Sequence, residues 1–244
     1  WTDIATVWRI EAGLVALIVI PIALALPRDV PQTTTDTGTH IVVVPESGYT
    51  LRQALHTGMF WVISGAGFMV GMLSTGLAFH LISILGQQGL TTIEAAANFI
   101  PQTVAALLGT LGLGAIVDRI DPRWGVAASM LTMAGALGML PFVGSGISGI
   151  IFGVLLGGSM GALRGVEAAA FVRYYGRGRI GSIRGVATAI GLASTALGPL
   201  YFALGLSLTG SYTGPSVLAA FFPLLVALAA IFIRPPAGID TLKP

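Results

Sequence analysis

Two charged residues stand inside a long apolar stretch. Arg164 and Glu167 fall within residues 147–172, three apart, so on a helix they share one face. Met160 and Phe171 extend that face. A charge at such a position costs at least about 2.5–3.5 kcal/mol on insertion into a bilayer. Two arrangements can offset that cost. The pair can neutralise itself within the helix and lock the surrounding bundle. Alternatively, Arg164 can meet an anionic substrate in a central cavity while Glu167 carries a proton. Ionisable residues at membrane depth mark substrate and proton pathways.

Other polar residues have weaker claims. Asn98 and Gln102 are four apart beside Pro101, so they can hydrogen-bond a substrate or join neighbouring helices. His80 stands near the end of residues 57–84, where a histidine can act as a pH-sensing gate or have no role. His40 and His56 lie outside the apolar stretches and are assigned no chemistry. Thr91 to Glu94 reads as a capping box at a helix start. Asp118, Arg119 and Arg123 cluster where one apolar stretch turns into the next. Such a cluster can latch helix ends together, since helix C-termini favour cations and N-termini favour anions. Ordinary retention of positive charge on one side of a membrane is the alternative.

Enzyme chemistry has little footing. Gly157-Gly158-Ser159-Met160-Gly161 matches a nucleophile pattern, but serine catalysis needs a base within reach. All three histidines precede Ser159, and only His80 lies in an apolar stretch. The glycines also fit a packing groove. No zinc, phosphate-loop or dinucleotide signature has the required context, so no cofactor or metal is expected. Cysteine is absent, which excludes thiolate zinc sites and disulfide scaffolds.

The elements that must position these residues follow from composition. The chain has 244 residues, 55% of them hydrophobic and 9% charged, against roughly a quarter charged in a soluble domain. Mean hydropathy is +0.89. Seven stretches are long enough to cross a bilayer as helices: 10–26, 57–84, 93–117, 124–143, 147–172, 183–208 and 213–233. They do not alternate as barrel strands would. The predicted fold class is an all-α integral membrane protein of seven transmembrane helices. Its predicted parts are one helix (1–26), a linker and lead-in (27–56), six helices (57–233) and a tail (234–244). The linker is rich in Pro and Thr, with Ile41–Val44 a short strand or membrane-grazing piece. The chain starts at Trp1 beside an apolar span with no signal-peptide pattern, which reads as the start of a fragment.

Orientation follows from Lys and Arg. Arg9 begins the first span and Arg164 is inside the fifth. The others are Arg28, Arg52, Arg119, Arg123, Arg173, Arg177, Arg179, Arg184, Arg234 and Lys243, all on connections of one side. That side is predicted to be cytoplasmic and to hold the C-terminus. The pI of about 9.3 is then a topology signal, and no nucleic-acid partner is expected at Tyr174-Tyr175 and its arginines.

Small residues predict the helix contacts. Gly149, Gly153, Gly157, Gly161 and Gly165 form a winding groove. Gly67, Gly71 and Thr75 repeat the spacing, as do Gly181, Gly185, Ala189 and Ala193. Pro21, Pro101, Pro199 and Pro223 can kink their helices. Tight packing and sliding during a conformational cycle are both compatible with this pattern.

Three stretches resemble the C-terminal half of a major facilitator superfamily transporter. They are Thr50 to Leu55 running on to Phe60-Trp61, Gly114 to Arg119 with its Asp118-Arg119, and Tyr174 to Gly185. The last, with Gly176, Arg177, Arg179 and Arg184, is similar to a loop of bacterial monocarboxylate and oxalate–formate carriers, and Phe79-His80 fits the same group. The resemblance makes the first span the sixth helix of twelve, and the rest the seventh to twelfth. It implies alternating access in the plasma (inner) membrane, with the N-terminal half as the missing partner. The implied cargo is a small organic anion, moved by proton symport or exchange. The Asp/Arg pair that such carriers show on the eighth helix is absent from 93–117, so Arg164 would have to supply the charge. Efflux of amphipathic compounds, and a non-transporting receptor or scaffold, are the alternatives. Arg164, Glu167, Asn98, Gln102, His80 and Phe79 are the expected substrate contacts.

Overall fold

The computed structural model describes residues 4–25 and 48–236. The chain divides into two units, residues 1–44 and 45–244. The first holds α1 (Ile4–Ala25), which starts before the predicted span and continues through Pro21. Most of the predicted linker lies outside the described residues, together with Ile41–Val44, Arg28, His40 and Lys243.

The second unit is a helical bundle. A short lead-in, α2 (Leu51–Leu55), precedes α3 (Gly58–Gln87), and α4 (Thr92–Ala97) runs into α5 (Phe99–Ile116). Then come α6 (Pro122–Met139), with a 3₁₀ turn at Leu140–Phe142, and α7 (Ile147–Tyr175). The chain finishes with α8 (Ile180–Thr195), α9 (Leu197–Thr209) and α10 (Thr213–Phe232). Six helical segments are long and apolar enough to cross a membrane, counting α4–α5 and α8–α9 as one each. They coincide, within a few residues, with the six spans expected over 57–233.

Local chemistry sets the helix ends. Thr50 with Gln53, and Thr91 with Glu94, each form a complete capping box. Thr57 caps α3 by accepting from Phe60 N. Asp121 caps α6, with Pro122 at the first helical position, where a missing N–H costs nothing.

Of the four prolines expected to kink their helices, two interrupt their spans and two do not. Pro21 and Pro223 lie within unbroken helices. Pro101 and Pro199 each stand three residues after a break, at Asn98 and at Ala196. A proline cannot donate to the carbonyl four residues earlier, here Ala97 and Thr195, and each break falls on the next residue.

The bundle contains a repeat. Residues 58–142 form a long unbroken helix of 30 residues, a broken span and a shorter helix. Residues 147–232 do the same, starting from the 29 residues of α7. Three crossings reverse the chain's direction, so the two triplets enter the membrane from opposite sides. Each broken span packs on the other triplet's long helix: α5 on α7, and α8–α9 on α3.

Both contacts need glycine. A Cβ on Gly157 or Gly161 would stand inside the carbonyl of Gln102 or Ala106. On Gly165 it would lie 2.7 Å from Thr110 O and 3.0 Å from Gly114 N. On Gly76 it would lie 2.7 Å from Gly198 O. Helices in lipid gain from this closeness because dispersion and backbone polarity, not expulsion of water, hold them together. The core buries Phe60, Phe152, Phe171 and Tyr175. The outward faces of α5 and α10 carry exposed Ile100, Leu107, Leu108, Leu111, Leu225 and Phe232, an apolar band suited to lipid chains.

Candidate functional site

Three sides of α7 have different partners. The glycine row meets α5. Val166 and Tyr174 meet α6, through Gly125 and Asp121. The third line runs through Met160, Arg164, Glu167 and Phe171. Phe171 packs on Phe60 of α3, with ring centroids 6.3 Å apart, so this line looks toward α3 and the neighbouring α8.

Arg164 is exposed and Glu167 half-buried on that line. They are not paired: among the described residues the one ion pair joins Arg123 and Asp121. The self-neutralising arrangement is therefore not formed. Arg164 has no side-chain hydrogen bond among the described residues either. Counting from Ile147, Arg164 lies about 26 Å along a helix of about 43 Å, a little past its midpoint. Within the six long segments of the second unit, Arg164 and Glu167 are the charges that lie away from the segment ends, and α1 of the first unit carries Arg9 and Glu11. Arg164 and Glu167 both belong to the second triplet.

Asn98 joins two helices, and Gln102 supports it from within its own span. Asn98 is buried at the α4–α5 break, and its Nδ2 donates to Gly149 O of α7 at 2.5 Å. Gln102 Nε2 donates to Asn98 Oδ1 at 2.8 Å. Lower down, Thr110 Oγ1 donates to Gly161 O at 3.1 Å. Beside Asn98 lies a pocket of about 210 Å³, lined by Leu90, Glu94, Pro101 and Ile150 among others.

His80 is engaged on both ring nitrogens. Nε2 lies 3.2 Å from Pro199 O and Nδ1 3.0 Å from Tyr212 Oη. A carbonyl only accepts, so in the neutral ring Nε2 carries the proton and Nδ1 accepts from the tyrosine. The imidazole thus ties α3 to α9 and to the start of α10. Phe79 beside it is 76% exposed. Ser159 is buried and donates to Leu156 O at 2.7 Å, with Met133 Sδ 3.7 Å away.

At the arginine-rich end the cluster is built differently from the one read in the sequence. Asp118 and Arg119 are exposed and carry no side-chain bond. The Gly114 backbone lies against Gly165, but a Cβ on Gly114 itself would meet nothing within 4 Å. The joining groups are Asp121, Arg123 and Tyr174. Tyr174 Oη donates to Asp121 Oδ1 and accepts from Arg123 N at 3.0 Å. Arg123 Nε lies 3.5 Å from Asp121 Oδ2, an ion pair lacking hydrogen-bond geometry. Arg173 donates to Ile120 O at 2.5 Å. Asp121 escaped the sequence reading, although an Asp-Pro at a helix start was the signal available.

A second tie uses the lead-in. Tyr49 N donates to Tyr175 O at 2.9 Å, Gly48 bridges Gly176, and Thr57 Oγ1 lies 2.7 Å from Tyr175 Oη. Gly176 has φ +77° and is buried, which holds the turn tight. Arg177, Arg179 and Arg184 remain exposed around it. Tyr174 and Tyr175 are buried and offer no stacking surface.

These features define an all-α, multi-pass membrane protein in which, among the described residues of the bundle, mid-span charge lies on α7. No protein-family model and no curated protein sequence matches the chain.

Proposed function

We propose that the chain is the second half of a secondary transporter of the major facilitator type, moving a small organic anion by alternating access. The observation that carries this is the repeat of two inverted triplets, each laying a proline-broken span on the other's long helix. Inverted repeats of three helices with interrupted spans suit two-state rocking, since the same contacts can exist in mirrored forms. The sequence resemblance at Gly114 to Arg119 and Tyr174 to Gly185 supports the same reading. In it, the arginine-rich end is cytoplasmic, the membrane is the plasma (inner) membrane, and the N-terminal half completes the cavity.

Arg164 is the anion contact. It is charged, near mid-span and without a protein partner, so a carboxylate can satisfy it at little cost in broken bonds. Glu167 is the proton carrier, because a half-buried carboxylate in low dielectric can exist in either form. Asn98, Gln102 and His80 hold helices in this reading. No step calls for a cofactor or an enzyme nucleophile.

The test is flux through the complete transporter in proteoliposomes, with and without a pH gradient. Anion uptake is expected, and Arg164→Ala should lower it roughly tenfold or more. Glu167→Gln should remove its dependence on the gradient while leaving exchange. Extrusion of amphipathic compounds without anion uptake, or no flux of any solute, would replace this reading. So would unchanged transport in both variants.

A further inference from the structure

The arginines at one end of the bundle divide into those with protein partners and those without. Arg123 is paired with Asp121, and Arg173 donates to Ile120 O. Arg52, Arg177, Arg179 and Arg184 are exposed, and among the described residues none of them has an ion pair or a side-chain hydrogen bond. They come from three elements: α2, the α7–α8 turn and α8. Main-chain contacts bring these elements together. Tyr49 N donates to Tyr175 O at 2.9 Å, and Gly48 bridges Gly176. A Cβ on Gly48 would stand 2.9 Å from Tyr175 O and 3.4 Å from Gly178 N, so the lead-in lies directly on the turn. Arg52 follows four residues later, on α2, which also packs on α8. Residues 48–93 and 168–236 hold no Asp or Glu. Glu46, just before the lead-in, and Glu167, half-buried on α7, are the nearest acidic residues in the sequence. With both counted the surface stays positive.

Tryptophan marks its depth. Trp61, in the first turn of α3, is 55% exposed and donates Nε1 to Leu55 O of α2. Trp124 is exposed in the first turn of α6 at the same end. Exposed indoles at span ends lie at the level of lipid headgroups. From the helix starts, Trp61 lies about 4.5 Å along α3 and Arg184 about 6 Å along α8.

We propose that this surface binds the phosphate of an anionic phospholipid headgroup. A guanidinium fork engages two phosphate oxygens at once, and four such groups stand here without protein acceptors. The lipid's acyl chains run along the apolar spans, an attachment that free phosphate lacks. Nucleic acid fits poorly, because Tyr174 and Tyr175 are buried and cannot stack on bases. A headgroup shared by Arg52 and Arg179 clamps the lead-in to the α7–α8 hairpin, adding to the backbone bridge. The proposal does not rest on the transport reading.

The experiment is thermal unfolding of the complete protein in mixed micelles, titrated with phosphatidylglycerol, phosphatidylcholine or inorganic phosphate. Phosphatidylglycerol should raise Tm, and the other two should leave it unchanged. Arg177→Gln with Arg179→Gln should move the midpoint of the phosphatidylglycerol titration to roughly tenfold higher lipid or more. Arg52→Gln alone should move it roughly threefold or more. Arg119→Gln with Arg234→Gln removes the same charge elsewhere at this end and should leave the midpoint within about twofold. Equal weakening by the two double variants would reduce the effect to diffuse charge and overturn the proposal. A Tm rise with inorganic phosphate would assign the surface to a free anion and overturn it too. So would an unchanged midpoint in Arg52→Gln, since the lead-in would then contribute nothing. All variants should match the unaltered Tm without lipid; a lower value would assign these arginines to folding and overturn it as well.

Discussion

The two triplets share an outline and differ in what fills it. In the first, α4–α5 is fastened to α7 by its own side chains at two levels, Asn98 to Gly149 and Thr110 to Gly161. In the second, α8–α9 is fastened to α3 at one level, where His80 meets Pro199 O on the α9 side of the break. Ser194 and Thr195 turn their hydroxyls back onto their own helix. So, among the described residues, α8 meets α3 by packing without a side-chain hydrogen bond between them, and α8 also carries Arg184. A span pinned on both sides of its break is a strut. A span pinned on one side is a lever, with Ala196 as its pivot. The charged triplet is thus also the one whose broken span has fewer side-chain hydrogen bonds to the opposing long helix.

The largest effect that can break this comparison is steric. Gly161→Val in α7 should destabilise the bundle by about 3 kcal/mol or more, because its side chain would enter Ala106 O. Gly158→Val, where a Cβ meets nothing within 4 Å, should fold normally. Denaturation in mixed micelles checks both. If the two behave alike, the close α5–α7 contact is not what holds the first triplet.

Hydrogen bonds come next. Asn98→Leu should cost about 1–2 kcal/mol in the same assay, and Ser194→Ala within about 0.5 kcal/mol. Equal losses would erase the difference between strut and lever. Spin-label distances give a sharper view. The distribution from α8 to α3 should be broader than that from α5 to α7, and His80→Phe should broaden it further. The smallest effect belongs to the arginine-rich end. Tyr174→Phe removes the donor to Asp121 and should cost about 0.5–1 kcal/mol. Asp118→Asn should cost nothing measurable, as its side chain holds no partner.

Much of this architecture was legible in the residues. The spans followed from apolar length. The separation of arginine-bearing from glycine- and serine-bearing turns gave the two ends. Thr91 and Glu94 announced their capping box, because a cap depends on neighbours three residues apart. The winding glycine row announced a close helix contact. The partners did not follow. Arg164 and Glu167 have the spacing of an ion pair, yet no ion pair joins them, since the direction of a side chain depends on what its helix packs against. Asp118-Arg119 drew attention as a motif, while the cross-helix bonds went to Asp121 and Tyr174, which are 53 residues apart. Prolines were equally ambiguous: Pro101 and Pro199 break their helices, and Pro223 does not.

Lipid explains where the boundary falls. A solvent that supplies no hydrogen bonds forces each span to close its own backbone, so length, polarity and punctuation in the chain dictate where helices begin and end. The same solvent gives helices no hydrophobic reason to choose one neighbour over another. That choice is made by fitted surfaces, glycine against carbonyl and asparagine into a break, which exist only when two distant stretches are brought together in three dimensions.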